Sequence, residues 1–172
     1  MATRWRRLAA ATTIVSVLTA TPAGSELKER APRMQFFCNT GYSVESCRAH
    51  LAALRRLLSP LNVAALGEWT WVLVRSEDWK QILRRVGRDP DSPAFTILEK
   101  RQTFLEEALF VPVAERSAAL LAKFRLPLDL LLEHAVLHEL GHAICGERDE
   151  SRAHNYATQL RQRGVVTCAD RR

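Results

Sequence analysis

No apolar run in this chain is long enough to cross a membrane comfortably. Residues 8–19 are mostly apolar but number only twelve, where a spanning helix needs about twenty. Internal repeats and low-complexity blocks are also missing, which excludes solenoid and tract-like architectures. Clustered charge of one sign is absent as well. The chain has 25 Lys and Arg against 19 Asp and Glu, a formal +6. Residues 1–23 hold three of the arginines and no acid, so the remainder carries 22 against 19. That small excess is scattered and gives no basis for nucleic-acid binding. Cysteine is sparse. The four that occur all lie beyond residue 23, and none follows the apolar run closely enough to serve as a lipoprotein anchor.

What is present at the N-terminus reads as an export signal. Arg4, Arg6 and Arg7 precede the short apolar run, and Ala20 or Ala23 supplies a small residue for cleavage. Residues 1–23 are therefore expected to be a signal peptide. Residues 24–172 are expected to form a single domain with one core, exported to a periplasmic or extracellular location and not held in a membrane after cleavage. Four cysteines suit an oxidising compartment and permit three pairings. Cys38–Cys47 would close a short loop. Cys145–Cys168 would tie two distant points near the C-terminus. Cys145 could instead act as a thiolate near a metal, although thiolates suit closed structural zinc sites better than open ones.

The most informative stretch is His138-Glu139-Leu140-Gly141-His142. In a helix over residues 126–145, opened by Pro127 and Asp129, histidines four apart lie on one face. Two imidazoles so placed can bind one zinc ion, and Glu139 can reach a water that zinc activates. Leu132, Val136, Leu140 and Ala143 recur at helical spacing as a buried stripe. Gly141 costs about 1 kcal/mol of helix propensity, which makes sense if another backbone passes close to it. The bland alternative is a solvated helix that happens to carry these residues.

A catalytic zinc usually takes a third protein ligand. Gly146 is a natural stop for the motif helix, and a second helix over about 149–163 would bring Glu150, Ala153, His154 and Ala157 onto one face. Glu147 and Asp149 are rival carboxylates whose ordinary role is to start a helix at its positive end. The stretch from about 131 to 160 resembles the gluzincin metallopeptidases, above all the small ones. Their H-E-x-x-H is followed on the next helix by a glutamate ligand, often in E-x-x-A. Here these are His138-Glu139-x-x-His142 and Glu150-Ser151-Arg152-Ala153. The resemblance implies His138, His142 and Glu150 as zinc ligands and Glu139 as general base, acting on a peptide or protein substrate. It implies an α+β, zincin-like fold: a small, mostly antiparallel sheet packed on the motif helix, mainly helical overall. His154 departs from the Asp or Asn that many relatives carry. It can steady a ligand, stabilise an oxyanion, or compete for the metal. Tyr156 is a second oxyanion candidate or a packing residue. The metzincin pattern fails, because Cys145 and Arg148 stand where its glycine and third histidine belong.

Elsewhere, residues 44–58 read as a helix capped by Ser43, with Leu51, Leu54, Leu57 and Leu58 inward and His50 exposed. Residues 69–74 read as a strand, and Ser76 caps a helix ending near Gly87. Residues 95–98 and 103–110 read as a hairpin, although the second segment could begin as helix, and 113–124 as a helix. A strand within 103–110 would accept an extended substrate by strand addition. Trp69, Trp71 and Trp79 are expected in the core, Trp5 in the signal, and His134 on the helix flank or at the cleft. Two other readings stay open. One is a non-catalytic zinc-binding module serving a partner, although binding alone needs no Glu139. The other is a metal-free, disulfide-stabilised structural domain.

Overall fold

The computed structural model describes residues 33–169; the expected signal peptide, with Trp5, lies outside them. Over the described residues the fold is α+β, with a four-stranded sheet and five α-helices. The strands are β1 (Met34–Cys38), β2 (Trp69–Val74), β3 (Ala94–Ile97) and β4 (Gln102–Glu106), in the order β1-β2-β4-β3. The helices are α1 (Val44–Leu58), α2 (Ser76–Val86), α3 (Ala114–Phe124), α4 (Leu128–Cys145) and α5 (Glu150–Arg163).

The sheet is mixed rather than mostly antiparallel. β1–β2 and β2–β4 are parallel, and only β3–β4 is antiparallel. A parallel pair needs a long crossover, and the helix α1 provides one between β1 and β2. β1 itself is an addition to the elements expected from sequence. The second hairpin strand is shorter than expected, because β4 ends at Glu106 and a 3₁₀ turn, Glu107–Leu109, follows. β4 lies between β2 and β3, so both of its edges are engaged and it cannot accept a substrate strand. The free edge near α4 belongs to β3.

Alternation sorts the sheet into two faces. Trp69, Trp71, Leu73, Ala94 and Leu105 join the main core with Leu51, Leu54 and Leu58 of α1 and much of α4. Val74 and Phe95 face the other way, against Trp79 and Leu83 of α2. Helix α4 is buried on most sides, not along one stripe. Leu131, Ala135, Val136, Leu137, Leu140 and Ala143 are all buried, as suits an apolar helix enclosed by other elements. His50 is buried rather than exposed. Its ring stacks on Phe110 at 5.1 Å and meets Tyr42 edge-on at 5.8 Å.

Two disulfides and one buried ion pair fix the frame. Disulfides join Cys38 to Cys47 and Cys145 to Cys168, so Cys145 is no metal ligand. The first ties β1 to α1, and the second closes α5 into a loop that starts at the end of α4. A bridge over a loop of this size stabilises by roughly 2–4 kcal/mol. Arg116 of α3 donates from Nε to both oxygens of Glu106 at the end of β4, at 2.9 and 2.8 Å. Its Nη2 also reaches the Ser92 carbonyl just before β3, at 3.3 Å. No helix among the described residues is long and apolar enough to cross a membrane.

Candidate metal centre

Helix α4 begins just after Pro127, runs through both motif histidines and ends at Gly146, whose φ of 59° is left-handed. The chain turns and restarts as α5, with Asp149 as N-cap accepting from the Arg152 N–H at 2.8 Å. Glu147 sits in the turn. Its carboxylate takes the backbone N–H groups of Arg148 and Asp149 at 2.8 and 2.9 Å and pairs with Arg152 at 3.1 Å. Both rival carboxylates are thus spent on the start of α5, as orphan helix-end donors require. Glu150 is left to face α4.

The close approach of α5 to α4 depends on Gly141. A Cβ there would stand 2.8 Å from the Ala153 carbonyl oxygen and 3.0 Å from Tyr156 Cβ. Ala153 is fully buried at this contact. Gly141→Ala gains about 1 kcal/mol of helix propensity but forces the helices apart. The expected net result is a loss of about 1–3 kcal/mol of stability from overpacking, with weaker metal retention. Urea unfolding and zinc titration check this, and a more stable variant with unchanged metal affinity would contradict it.

Three donor atoms converge across the two helices. His138 Nε2 lies 2.9 Å from Glu150 Oε2 and 3.1 Å from His142 Nε2, and His142 Nε2 lies 3.4 Å from Glu150 Oε2. Ligand atoms around a tetrahedral zinc with bonds of about 2.0–2.2 Å stand roughly 3.3–3.6 Å apart, so the spacing fits such an ion with little adjustment. Among the described residues this is the one group of three or more side chains able to hold a metal. His142 Nδ1 meets the Glu147 backbone carbonyl at 2.8 Å. A carbonyl only accepts, so Nδ1 carries a proton, and in the neutral ring that binds metal Nε2 presents a lone pair. That lone pair points at a carboxylate oxygen, an arrangement of two acceptors that a cation satisfies.

The electrostatics agree. Burial pushes the Glu150 carboxyl up, but His138 and His142 together bring it below its ordinary value. Burial holds the His138 imidazole below its ordinary value, although Glu150 opposes this. Ionised carboxylate and neutral imidazole are the forms that bind metal.

Glu139 lies on α4 beside this group but not in it. It is 5% exposed, and burial pushes its carboxyl up to about 7, against the pull of His142 and the Thr96 hydroxyl. A base poised near neutrality is suited to taking and returning a proton. Glu139 lines a cleft of about 1060 Å³, together with His138, His142 and Glu150.

His134 and His154 also line the cleft. Their ring centroids are 5.4 Å apart, and they lie 6.4 and 6.5 Å from that of His138. His154 stands at the rim and is not in the converging group. Tyr156 is turned away from the cleft. It is buried, and its hydroxyl accepts from the Ala169 N–H at 3.0 Å, so it anchors the C-terminal segment instead of facing an oxyanion.

The cleft also meets the free edge of β3. The Glu106 N–H donates to the Pro93 carbonyl at 2.9 Å. With the β3–β4 register, alternate residues then turn their backbone groups outward. These are Ala94 and Thr96. Their carbonyls are met by the Ser92 hydroxyl and by Arg88 Nη2, which blunts an otherwise bare edge. Sequence reasoning missed Thr96 and Arg88, because a free edge is defined by pairing and not by composition. The chain matches no family model, no curated protein and no solved structure.

Proposed function

We propose that this protein is an exported zinc metallopeptidase of gluzincin type. The observation that carries the reading is the convergence of His138 Nε2, His142 Nε2 and Glu150 Oε2 from two helices, with buried Glu139 alongside. A zinc ion held there would lower the pKa of a coordinated water to about 7 and polarise a scissile carbonyl. Glu139 accepts the proton of the attacking water and delivers it to the leaving amine. Its burial keeps bulk water from competing for that proton. His142 is oriented by the Glu147 carbonyl, which holds its Nε2 toward the shared point. An extended substrate lies along β3 and bonds to the outward groups of Ala94 and Thr96, with Arg88 giving up the Thr96 carbonyl. The two disulfides fit an oxidising, extracytoplasmic compartment.

The test is a digest of an unbiased peptide library by the zinc-loaded mature protein. Cleavage is expected, lost on treatment with a zinc chelator and restored by added zinc. Zinc binding with no cleavage of any peptide would favour the non-catalytic binding module. Cleavage that survives complete metal removal would sink the zinc mechanism.

A further inference from the structure

Three lysine or arginine side chains line the cleft: Arg88, Lys123 and Arg148. Two of them are already paired with carboxylates of the same cleft. Lys123 Nζ lies 2.9 Å from Asp89 Oδ2, and Arg148 pairs with Glu99. The other carboxylates there are committed as well. Glu147 holds two backbone amides and Arg152, whereas Glu139 and Glu150 belong to the candidate metal centre. Arg88 is left over. Among the described residues it forms no ion pair, and its guanidinium makes one hydrogen bond, from Nη2 to the Thr96 carbonyl at 3.2 Å. That carbonyl is one of the outward groups on the free edge of β3.

The backbone aims Arg88 at that edge. Helix α2 stops at Gly87, whose φ of 66° is left-handed. The Gly87 N–H donates to the Arg84 carbonyl at 3.4 Å, and the Arg88 N–H to the Leu83 carbonyl at 3.0 Å. This is a Schellman motif, in which the residue after the glycine frequently packs an apolar side chain back on the last turn. Here that residue is an arginine. Helix α2 packs on the sheet face opposite α4, and the guanidinium meets the edge of β3 between the two faces.

We propose that Arg88 selects peptides that carry a carboxylate near the scissile bond, from an Asp or Glu side chain or from a free C-terminus. The cleavage part of this inference rests on the metallopeptidase reading, whereas the recognition of a carboxylate does not. A peptide added to the β3 edge must take the Thr96 carbonyl from Arg88, so the guanidinium needs a new acceptor. A carboxylate matches its planar fork and accepts charge-assisted bonds roughly twice as strong as neutral ones. A neutral peptide offers no such exchange and competes with Arg88 for the carbonyl. Lys123 and Arg148 would have to release one carboxylate to take another, with no net gain. Arg88 thus guards the edge against neutral strands and admits acidic ones.

The experiment measures kcat/KM of the zinc-loaded mature protein and of Arg88→Gln on peptides cut in the library digest. Each peptide is made in matched forms, with Glu or Gln at each position flanking the scissile bond and with a free or amidated C-terminus. In wild type one carboxylate is expected to raise kcat/KM on the order of 10–100-fold over its neutral amide, the range of hydrogen bonds to charged groups. A gain from Glu marks a side chain as the source, and a gain from the free C-terminus marks the terminal carboxylate. Arg88→Gln is expected to treat the matched forms alike. No preference for a carboxylate in wild type, or a preference undiminished in Arg88→Gln, would overturn the proposal. If wild type cleaves no peptide, the metallopeptidase reading fails on its own. Calorimetric binding of hexapeptides matched in the same way then decides the recognition. Tighter binding of the acidic form by wild type than by Arg88→Gln supports Arg88, and equal or absent binding overturns it.

Discussion

Glu139→Gln is expected to lower kcat on the order of 10²–10⁴-fold, the range general acid–base catalysis supplies, while zinc stays bound. The substitution keeps shape and volume and removes only the ability to take a proton. Glu139 lies outside the converging group of His138, His142 and Glu150, so metal affinity has no reason to fall. Stability should not fall either. Burial disfavours the charged form of Glu139 and pushes its carboxyl up to about 7, so a neutral amide removes a desolvation cost. The check is metal content, thermal unfolding and turnover measured on one preparation. Loss of zinc together with activity would make Glu139 a ligand and reverse the division of roles on α4.

The second large effect is structural. Arg116→Ala is expected to destabilise the domain by about 3–5 kcal/mol, because it strands a buried carboxylate. The Glu106 side chain is 1% exposed and Arg116 10%. Burial pushes the Glu106 carboxyl up, and the Arg116 guanidinium offsets only part of that shift. Arg116 also holds the Ser92 carbonyl, so its loss loosens the segment that leads into β3. Domains of this size are stable by only about 5–15 kcal/mol, so the loss should be plain in urea unfolding. Replacing both partners by apolar residues, Arg116→Met with Glu106→Leu, should recover most of it, since a buried ion pair is rarely better than good apolar packing. A single variant within about 0.5 kcal/mol of wild type, the usual span for surface changes, would show that the pair carries no net stability.

What was legible in the sequence was local. The aromatic and β-branched run of β2 marks its own ends, and Ser43 accepts from the Ser46 N–H as the cap of α1. The four-residue histidine spacing works through helix geometry alone. Gly141 was readable as a close approach, and the contact with Ala153 is that approach. His50 carried a signal that composition hid. It lies four and eight residues before Leu54 and Leu58, on the face that packs inward. β1 was obscured because Phe36 and Phe37 stand side by side, and only the first packs on the core. Sheet topology was out of reach, since parallel pairing depends on how crossovers pack and not on the strands. The buried hydrogen bonds that join Trp69 to Thr103 and Thr103 to Thr96 were hidden for the same reason. Their partners are 34 and 7 residues apart and meet only because the sheet aligns them. Glu147 looked like Glu150 in sequence, and only the turn after Gly146 separates a carboxylate bonded to helix-end amides from one aimed at two histidines.

The proposed zinc chemistry requires Glu150 to complete a metal site with His138 and His142. Zinc content by elemental analysis, after dialysis against metal-free buffer, tests it most directly in wild type, Glu150→Ala, Glu147→Ala and Asp149→Ala. Wild type is expected to hold stoichiometric zinc, Glu150→Ala to lose it, and the other two to keep it. Full zinc in Glu150→Ala, or its loss in Glu147→Ala or Asp149→Ala alone, would contradict the account.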